Sequence, residues 1–264
     1  MNNNCKLHTF VVLAYKESIY LEDCVKSVLN QSIKSKIIIA TTTDNIHIRN
    51  IANKYNLDII VGKHTTIGGD FDFARLSVNS ELVTIAHQDD LYDNTYVENI
   101  VNMYEKDKNA SIIFTDYYEI REKKKVFSNK NLKIKRILLF PLKFKFLRKI
   151  KFFKRLSLRF GNSICCPAVT FVNKNCPKKL FISDFKSNCD WYAWEKLSKL
   201  KKSFVFIPKK LMGHRIDTST TTSNIINEGI RTKEDLEILK LFWPLKIAEF
   251  INNLYRKSEK SNKL

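Results

Sequence analysis

Two adjacent aspartates, Asp89 and Asp90, directly follow the apolar run 82–86. A divalent metal beside a diphosphate needs hard oxygen ligands on a rigid mount, and the end of a strand supplies such a mount. A metal held there would neutralise the charge that grows on a departing diphosphate. A solvated turn is the alternative interpretation, because Asp93 and Asn94 continue the polar stretch. The aspartate pair on its own leaves both interpretations open.

Elements that could position this pair are visible in the first 120 residues. Short apolar, β-prone runs occur at 9–15, 36–40, 58–61, 82–86 and 110–114, and amphipathic helical patterns lie between them. Alternating strands and helices predict an α/β fold with a parallel sheet. Ligands bind such sheets beyond the carboxyl ends of the strands. The polar residues at 15–17, 41–44 and 87–90 should therefore meet at one edge, and Ser18 is expected to cap the first helix.

Four short sequence motifs occur one after another along this half of the chain. They are Tyr15-Lys16-Glu17, Ser27-Val28-Leu29-Asn30-Gln31-Ser32, the stretch from Gly68 to Arg75, and Ala86-His87-Gln88-Asp89-Asp90. Together they resemble glycosyltransferase family 2 of the GT-A fold over about residues 9–120. The resemblance implies a mainly parallel sheet flanked by helices, and an enzyme that transfers a sugar from a nucleotide carrier.

The resemblance also implies which residues bind the donor and its metal. The expected donor contacts are Ala14, Tyr15, Glu17, Thr41, Thr42, Asp44, Gly69, Arg75, His87, Asp89 and Arg215. The expected ligands of Mn²⁺ or Mg²⁺ are Asp89, Asp90 and His214. UDP-sugars are the favoured donors, with dTDP- and GDP-sugars as alternatives.

Two departures from the family pattern leave roles open. The family often carries an aspartate at the end of the second strand that contacts the nucleobase, whereas this chain has Ala40-Thr41-Thr42 there. The first aspartate of the metal motif is His87 in this sequence. An imidazole can bind Mn²⁺ or donate a hydrogen bond to ribose, so either partner suits His87.

The second half of the chain supplies a candidate base. Inverting transfer needs a group that takes the proton of the acceptor hydroxyl, and a nearby carboxylate suffices. The phrase 187–191 resembles the family's acceptor-side acidic motif, which makes Asp190 the candidate and Asp184 the second choice. The alternative role for Asp190 is to cap a helix. Residues 160–170 also resemble the family and would form the floor of the acceptor cleft.

A later phrase, 213–217, resembles a family segment in which a His-Arg pair precedes a Ser/Thr-rich loop over the donor diphosphate. His214 would complete the metal shell, and Arg215 would pair with phosphate oxygens. The loop would correspond to residues 218–223.

Positive charge is concentrated between residues 121 and 160. This segment holds sixteen lysines and arginines and one acid, Glu122, in a chain whose net charge is +19. Basic and apolar residues alternate from 138 to 149, which predicts peripheral binding to an anionic membrane surface. The alternative function is that of a non-enzymatic nucleic-acid binder that uses the same segment. The alternative without a binding role is that the segment is simply a solvated basic surface. The preferred interpretation assigns no nucleic-acid partner.

The organisation predicted from these observations has four parts. They are a nucleotide-sugar-binding α/β half at 1–120, a basic amphipathic insertion at 121–160, an acceptor-side half at 161–225 and C-terminal helices at 226–264. The N-terminus lacks a signal pattern, and apolar runs stay shorter than the about 18 residues of a membrane span. We therefore expect a cytoplasmic enzyme on the inner face of the membrane, acting on a glycan or lipid-linked glycan in surface-glycan assembly. A dinucleotide-dependent oxidoreductase is excluded because residues 13–18 contain no glycine.

Overall fold

A computed structural model describes residues 7–63, 66–216 and 230–260, with the backbone alone for 255–260. Within these residues, nine strands form one mixed sheet. Its first four strands are parallel and lie in the order β3-β2-β1-β4. They are β1 (His8–Ala14), β2 (Lys36–Thr41), β3 (Asp58–Val61) and β4 (Leu82–His87). These four elements match the first four predicted strands, because each is a short run of buried β-branched and apolar residues.

The rest of the sheet differs from the predicted parallel arrangement. The remaining strands are β5 (Leu91–Tyr92), β6 (Ala110–Arg121), β7 (Lys124–Val126), β8 (Val169–Val172) and β9 (Ser203–Ile216). β8 lies antiparallel between β4 and β6, and β9 runs parallel to β6 and antiparallel to β5. The α/β class is confirmed, but the sheet is parallel only within the β1–β4 group and between β6 and β9.

Helices cover both faces of the sheet. They are α1 (Leu21–Leu29), α2 (Ile46–Lys54), α3 (Ile67–Leu76), α4 (Tyr96–Lys106), α5 (Lys130–Leu139), α6 (Lys151–Leu156), α7 (Cys189–Ser198), α8 (Ile230–Leu239) and α9 (Leu245–Lys260). Successive side chains of β1 point to opposite faces. Phe10 therefore packs in the core that includes α1, α2 and α4, and Val11 packs in the core that includes α3, α7 and α8.

The basic segment is built onto the sheet. α5, two short 3₁₀ turns at 140–143 and 147–149, and α6 follow one another, and Leu132, Leu139 and Leu142 are buried beneath them. Arg148 forms a buried ion pair with Asp107, at 2.9 Å. Part of the basic charge therefore holds the segment to the rest of the fold, and the lysines at 143, 145, 149 and 151 are exposed.

A buried carboxylate on α3 fixes the chain that precedes α7. The Asp72 carboxylate accepts hydrogen bonds from the backbone N–H groups of residues 180–182, at 2.9–3.2 Å. Arg75 donates to Asp72 at 3.2 Å and to the carbonyl oxygens of residues 177 and 178 at 2.7 and 2.8 Å. The Arg75 guanidinium is 1% exposed, so the donor contact predicted for it is contradicted by its position inside the protein.

The Asp72 clamp generates a stability prediction. Replacing Asp72 with Ala leaves two buried N–H groups and one partly buried N–H group without acceptors, and the Arg75 charge without its counter-ion. We expect a loss of about 3–5 kcal/mol in the free energy of unfolding, measured by urea denaturation. The control is Lys174→Ala, which breaks an exposed ion pair with Glu81 and should change stability little. Equal effects of the two substitutions would show that the clamp contributes no more than a surface pair.

Candidate functional site

The carboxyl ends of β1, β2 and β4 meet at one edge, as the alternation of strands and helices predicts. Ala14 pairs with Thr41 across the β1–β2 ladder. The side-chain amide of Gln88 bridges to Tyr15, accepting from its backbone N–H at 3.0 Å and donating to its carbonyl at 3.0 Å. The backbone N–H of Lys16 donates to the Thr43 hydroxyl at 2.5 Å. The three polar turns are therefore joined by hydrogen bonds into one surface.

The predicted donor contacts on β1 and β2 differ in what they offer a ligand. Ala14 and Thr41 are buried, so they present mainly backbone. Thr42 is half-buried, and Asp44 is exposed and ion-paired with Arg49 of α2. This end of the edge thus carries hydroxyl and carboxylate groups that solvent can reach.

Two other predicted contacts, Glu17 and Gly69, flank this edge. Glu17 is exposed just after Lys16, whose φ of 54° makes the turn out of β1 tight. Gly69 lies in the first turn of α3, and its N–H donates to the Thr66 hydroxyl at 2.9 Å. That hydroxyl caps α3, so the Gly69 amide is already engaged within the helix.

Asp90 joins the end of β4 to β9. Its side chain is 1% exposed. One oxygen, Oδ1, accepts from the backbone N–H of Arg215 at 2.8 Å and contacts Nδ1 of His214 at 3.1 Å. The other, Oδ2, is buried without a hydrogen bond to any residue that the structure describes. A buried carboxylate oxygen without a donor is costly, and a bound cation would satisfy it.

Asp89 lies beside Asp90 and contacts the side chain of Arg215. Its Oδ1 accepts from the Ser18 hydroxyl at 2.8 Å, and its backbone carbonyl accepts from Nε of Arg215 at 2.9 Å. The Arg215 guanidinium packs 3.9 Å from the ring centroid of Tyr20. Burial raises the pKa of the Asp89 carboxyl, the Ser18 hydrogen bond opposes that shift, and the charge of Asp90 adds to it. Ser18 therefore bonds to the site, and its side chain does not cap α1 as expected.

The two histidines of the site have opposite electrostatics. The His87 ring stacks on Phe71 with centroids 5.2 Å apart, and burial lowers its pKa to about 4, so the ring is neutral at pH 7. Its Nε2 is buried and unpaired among the described residues. Burial also lowers the pKa of His214, but the charge of Asp90 and its hydrogen bond outweigh burial and leave the pKa raised.

Asp89 and Asp90 fit a hard cation. Within residues 7–63, 66–216 and 230–260, no cluster of three or more His, Cys, Asp or Glu forms a ready metal cage. Two carboxylates with one unsatisfied oxygen suit Mn²⁺ or Mg²⁺ when substrate oxygens and water complete the shell. His214 uses Nδ1 to contact Asp90, which orients that carboxylate.

Asp190 lies in the first turn of α7. It is near enough to Cys165, Cys166 and Lys135 to interact with them electrostatically. Its Oδ2 accepts from the Asn162 amide at 2.8 Å, and its Oδ1 accepts from the backbone N–H of Trp191 at 2.7 Å. Gly161 has a φ of 148°, a conformation that side chains disfavour, and it precedes Asn162. Burial raises the pKa of Asp190, which makes its carboxylate a better proton acceptor. Asn188 occupies the N-cap position without a side-chain cap hydrogen bond, and Asp184 is exposed.

A carboxylate of α8 holds the chain just before Asp190. Glu234 accepts from the backbone N–H groups of residues 186, 187 and 188 at 2.6–3.1 Å, and from the Ser187 hydroxyl at 2.7 Å. Asp235 accepts from the Asn188 side chain at 2.7 Å. No sequence pattern indicates this Glu234 clamp, because its contacts join segments almost fifty residues apart. The predicted loop at 218–223 and Asp217 lie outside the described residues.

Known proteins share this architecture. The chain superposes on TarS 1–349 of S. aureus, in complex with UDP-GlcNAc, with a TM-score of 0.56 and 12% identity over 93% of this chain and 70% of that one. It superposes on the mannosyltransferase PcManGT of Pyrobaculum calidifontis, in complex with GDP-Man and Mn²⁺, with a TM-score of 0.59 and 11% identity over 94% and 70% of the two chains. No curated protein matches by sequence.

The sequence itself matches one family model. The model of glycosyl transferase family 2 covers residues 9–180, which include the β1, β2 and β4 edge and both aspartates of the site. The match spans more than half of the chain and agrees with the fold shared with the two superposed structures. The chain is a member of glycosyl transferase family 2.

Proposed function

We propose that this enzyme transfers a sugar from a nucleoside-diphosphate donor to an acceptor hydroxyl, with metal assistance and inversion at the anomeric carbon. The observation that carries the proposal is the Asp89–Asp90 pair at the end of β4, where one buried carboxylate oxygen lacks a donor among the described residues. Arg215 donates hydrogen bonds to both residues of this pair. This arrangement suits a metal–diphosphate group.

On the donor side, Asp89 and Asp90 would hold the metal, with His214 orienting Asp90 or completing the shell. The bound metal would supply a positive charge for the departing diphosphate. Arg215, which lies on Tyr20, would donate to phosphate oxygens. The turns at 15–17 and 41–44 would contact the nucleoside, and neutral His87 would bind metal or ribose.

On the acceptor side, Asp190 would take the proton of the attacking hydroxyl. Its raised pKa, the hydrogen bond from Asn162 and the Glu234 clamp on the preceding residues support this role. A base that acts opposite the leaving group gives inversion, because the hydroxyl attacks from the far side in a single displacement. Asp184 is less suited, since it is exposed.

We propose a UDP-sugar as donor, with dTDP- and GDP-sugars as alternatives. The similar structures include one complex with UDP-GlcNAc and another with GDP-Man, so both nucleotide classes belong in any test. The acceptor we propose is a glycan or lipid-linked glycan in capsule, O-antigen or exopolysaccharide assembly, following the family resemblance in the sequence.

We further propose that the enzyme works as a peripheral protein on an anionic, cytoplasm-facing membrane surface. Phe140, Phe144 and Phe146 are 53%, 42% and 69% exposed, and their rings contact in sequence at 5.5 and 6.1 Å. Exposed lysines flank this aromatic ridge, at positions 143, 145, 149 and 151. Apolar rings that enter the headgroup boundary while lysines pair with anionic lipid fit this pattern. Among the described helices, none has the length and hydropathy to span a bilayer.

The donor proposal predicts different losses for the two acidic sites. Wild-type protein should be stabilised by one of UDP, dTDP or GDP in a thermal-shift assay with Mn²⁺, by about 2.7 kcal/mol at 100 times the dissociation constant. Asp89→Asn should lose the Mn²⁺-dependent part of that shift. Asp190→Asn should keep the shift and lower donor turnover by about 10²–10⁴-fold. Unchanged turnover of wild type in excess chelator would contradict the metal role.

The membrane proposal predicts salt-sensitive flotation. Wild type should float with vesicles containing anionic lipid at low salt, stay below with neutral vesicles, and lose most binding at high salt. A variant with Lys143, Lys145, Lys149 and Lys151 changed to Gln should not float. The charge-matched control changes Lys36, Lys63, Lys106 and Lys201, which are exposed elsewhere, and should float as wild type does. Wild type that binds random DNA and ignores anionic vesicles would support the nucleic-acid alternative instead.

A further inference from the structure

One cation of the basic segment lies near the residues of the candidate site. Four arginines of the segment pair with acids of the sheet, of the C-terminal end of α4 or of α7, in the pairs Arg121–Glu119, Arg136–Asp116, Arg148–Asp107 and Arg155–Glu195. Lys135 of α5 forms no ion pair with the described residues. Its ammonium is half-buried and donates to the phenolic oxygen of Tyr117 at 2.9 Å.

The neighbouring contacts locate this ammonium. Arg136 fixes α5 to the extended end of β6, donating to the Asp116 carboxylate at 2.8 Å and to the Tyr117 carbonyl at 3.1 Å. The Tyr117 ring lies edge-on to the His214 ring, with centroids 6.2 Å apart. His214 contacts Asp90. The Lys135 ammonium is therefore one aromatic ring away from the histidine that orients the proposed metal ligand.

Electrostatic coupling supports the same position. The charge of Lys135 acts to lower the pKa of Asp190 and the pKa of His214, although other causes are larger in both cases. One ammonium thus lies near both the proposed base and the Asp90–His214 pair.

The neutral Tyr117 hydroxyl is a weak partner for a half-buried ammonium. A lysine that loses water recovers more of that cost from an anionic oxygen than from a phenol, because an anionic oxygen adds Coulomb attraction between opposite charges to the hydrogen bond. The nearest sheet acids are already engaged, since Asp116 bonds to Arg136 and Glu119 bonds to Arg121. The partner that this position suits is an anionic group of the substrate.

We propose that Lys135 binds the diphosphate of the nucleotide-sugar donor, so that the basic segment contributes a catalytic residue to the cleft. This inference rests on the proposed function. In the transfer, the bond from the anomeric carbon to the diphosphate oxygen breaks and its electron pair stays on that oxygen. The acceptor oxygen bonds to the carbon, and its proton passes to Asp190. Lys135 remains protonated and pairs with the charge that develops on the diphosphate.

The test compares diphosphate and monophosphate binding. Calorimetry with UDP, dTDP and GDP in Mn²⁺ first identifies the nucleoside that wild type binds. Lys135→Met should then weaken binding of that diphosphate by about 10-fold or more, and weaken its monophosphate much less. Lys135→Arg should retain most of the diphosphate affinity. The control is Lys133→Met, which removes an equal charge from an exposed position of the same helix and should bind as wild type does.

Three outcomes would overturn the role of Lys135. They are unchanged diphosphate affinity in Lys135→Met, an equal loss for the monophosphate, and an equal loss in Lys133→Met. If Lys135→Met does not fold, Lys135→Gln is measured in the same way. Wild type that binds none of the three nucleoside diphosphates would instead contradict the proposed donor class, so the two failures are distinguishable.

Discussion

The carboxylate of Asp90 is buried where β4 ends, and a charge in that position needs donors from somewhere in the fold. β9 supplies them, through the backbone N–H of Arg215 and the ring of His214. β9 in turn runs beside β6 and reaches the edge strand β5. The position of the second half of the chain is therefore coupled to one carboxylate of the first half, and the site exists only when the two halves are docked.

The parallel strands could be predicted because a buried parallel strand leaves a local signature, a continuous apolar run. β8 and β9 leave a weaker one. β8 has only four residues, and β9 carries an exposed proline and two exposed lysines at 208–210 between buried stretches. Their partners are fixed by contacts far away in the sequence, such as the pairing of Thr84 with Thr170. Hydrophobic periodicity cannot report such contacts, so the mixed sheet appears only in the folded chain.

The same limit applies to the site. Strand ends could be assigned to one edge from the sequence, and Asp89, Asp90, His214 and Arg215 do lie together there. The residues that hold these groups and Asp190 in place are a different case. Ser18, Asn162 and Glu234 act through side-chain geometry that no spacing rule encodes. Arg75 is the opposite case. It lies in a stretch that resembles the family, but its side chain is buried in the core and donates to the backbone there.

The Glu234 clamp determines how much of this chain would have to be exchanged as one unit when a hybrid is made with a related enzyme. The family model ends at residue 180, whereas Asp190, His214 and the glutamate of α8 all lie beyond it. Through the clamp, α8 holds the loop before the proposed base in place. A hybrid that takes its acceptor half from a relative would therefore need to take the corresponding C-terminal helix from the same parent, because the fit between carboxylate and loop is a matched pair. Recombination breakpoints between residues 188 and 234 would separate that pair.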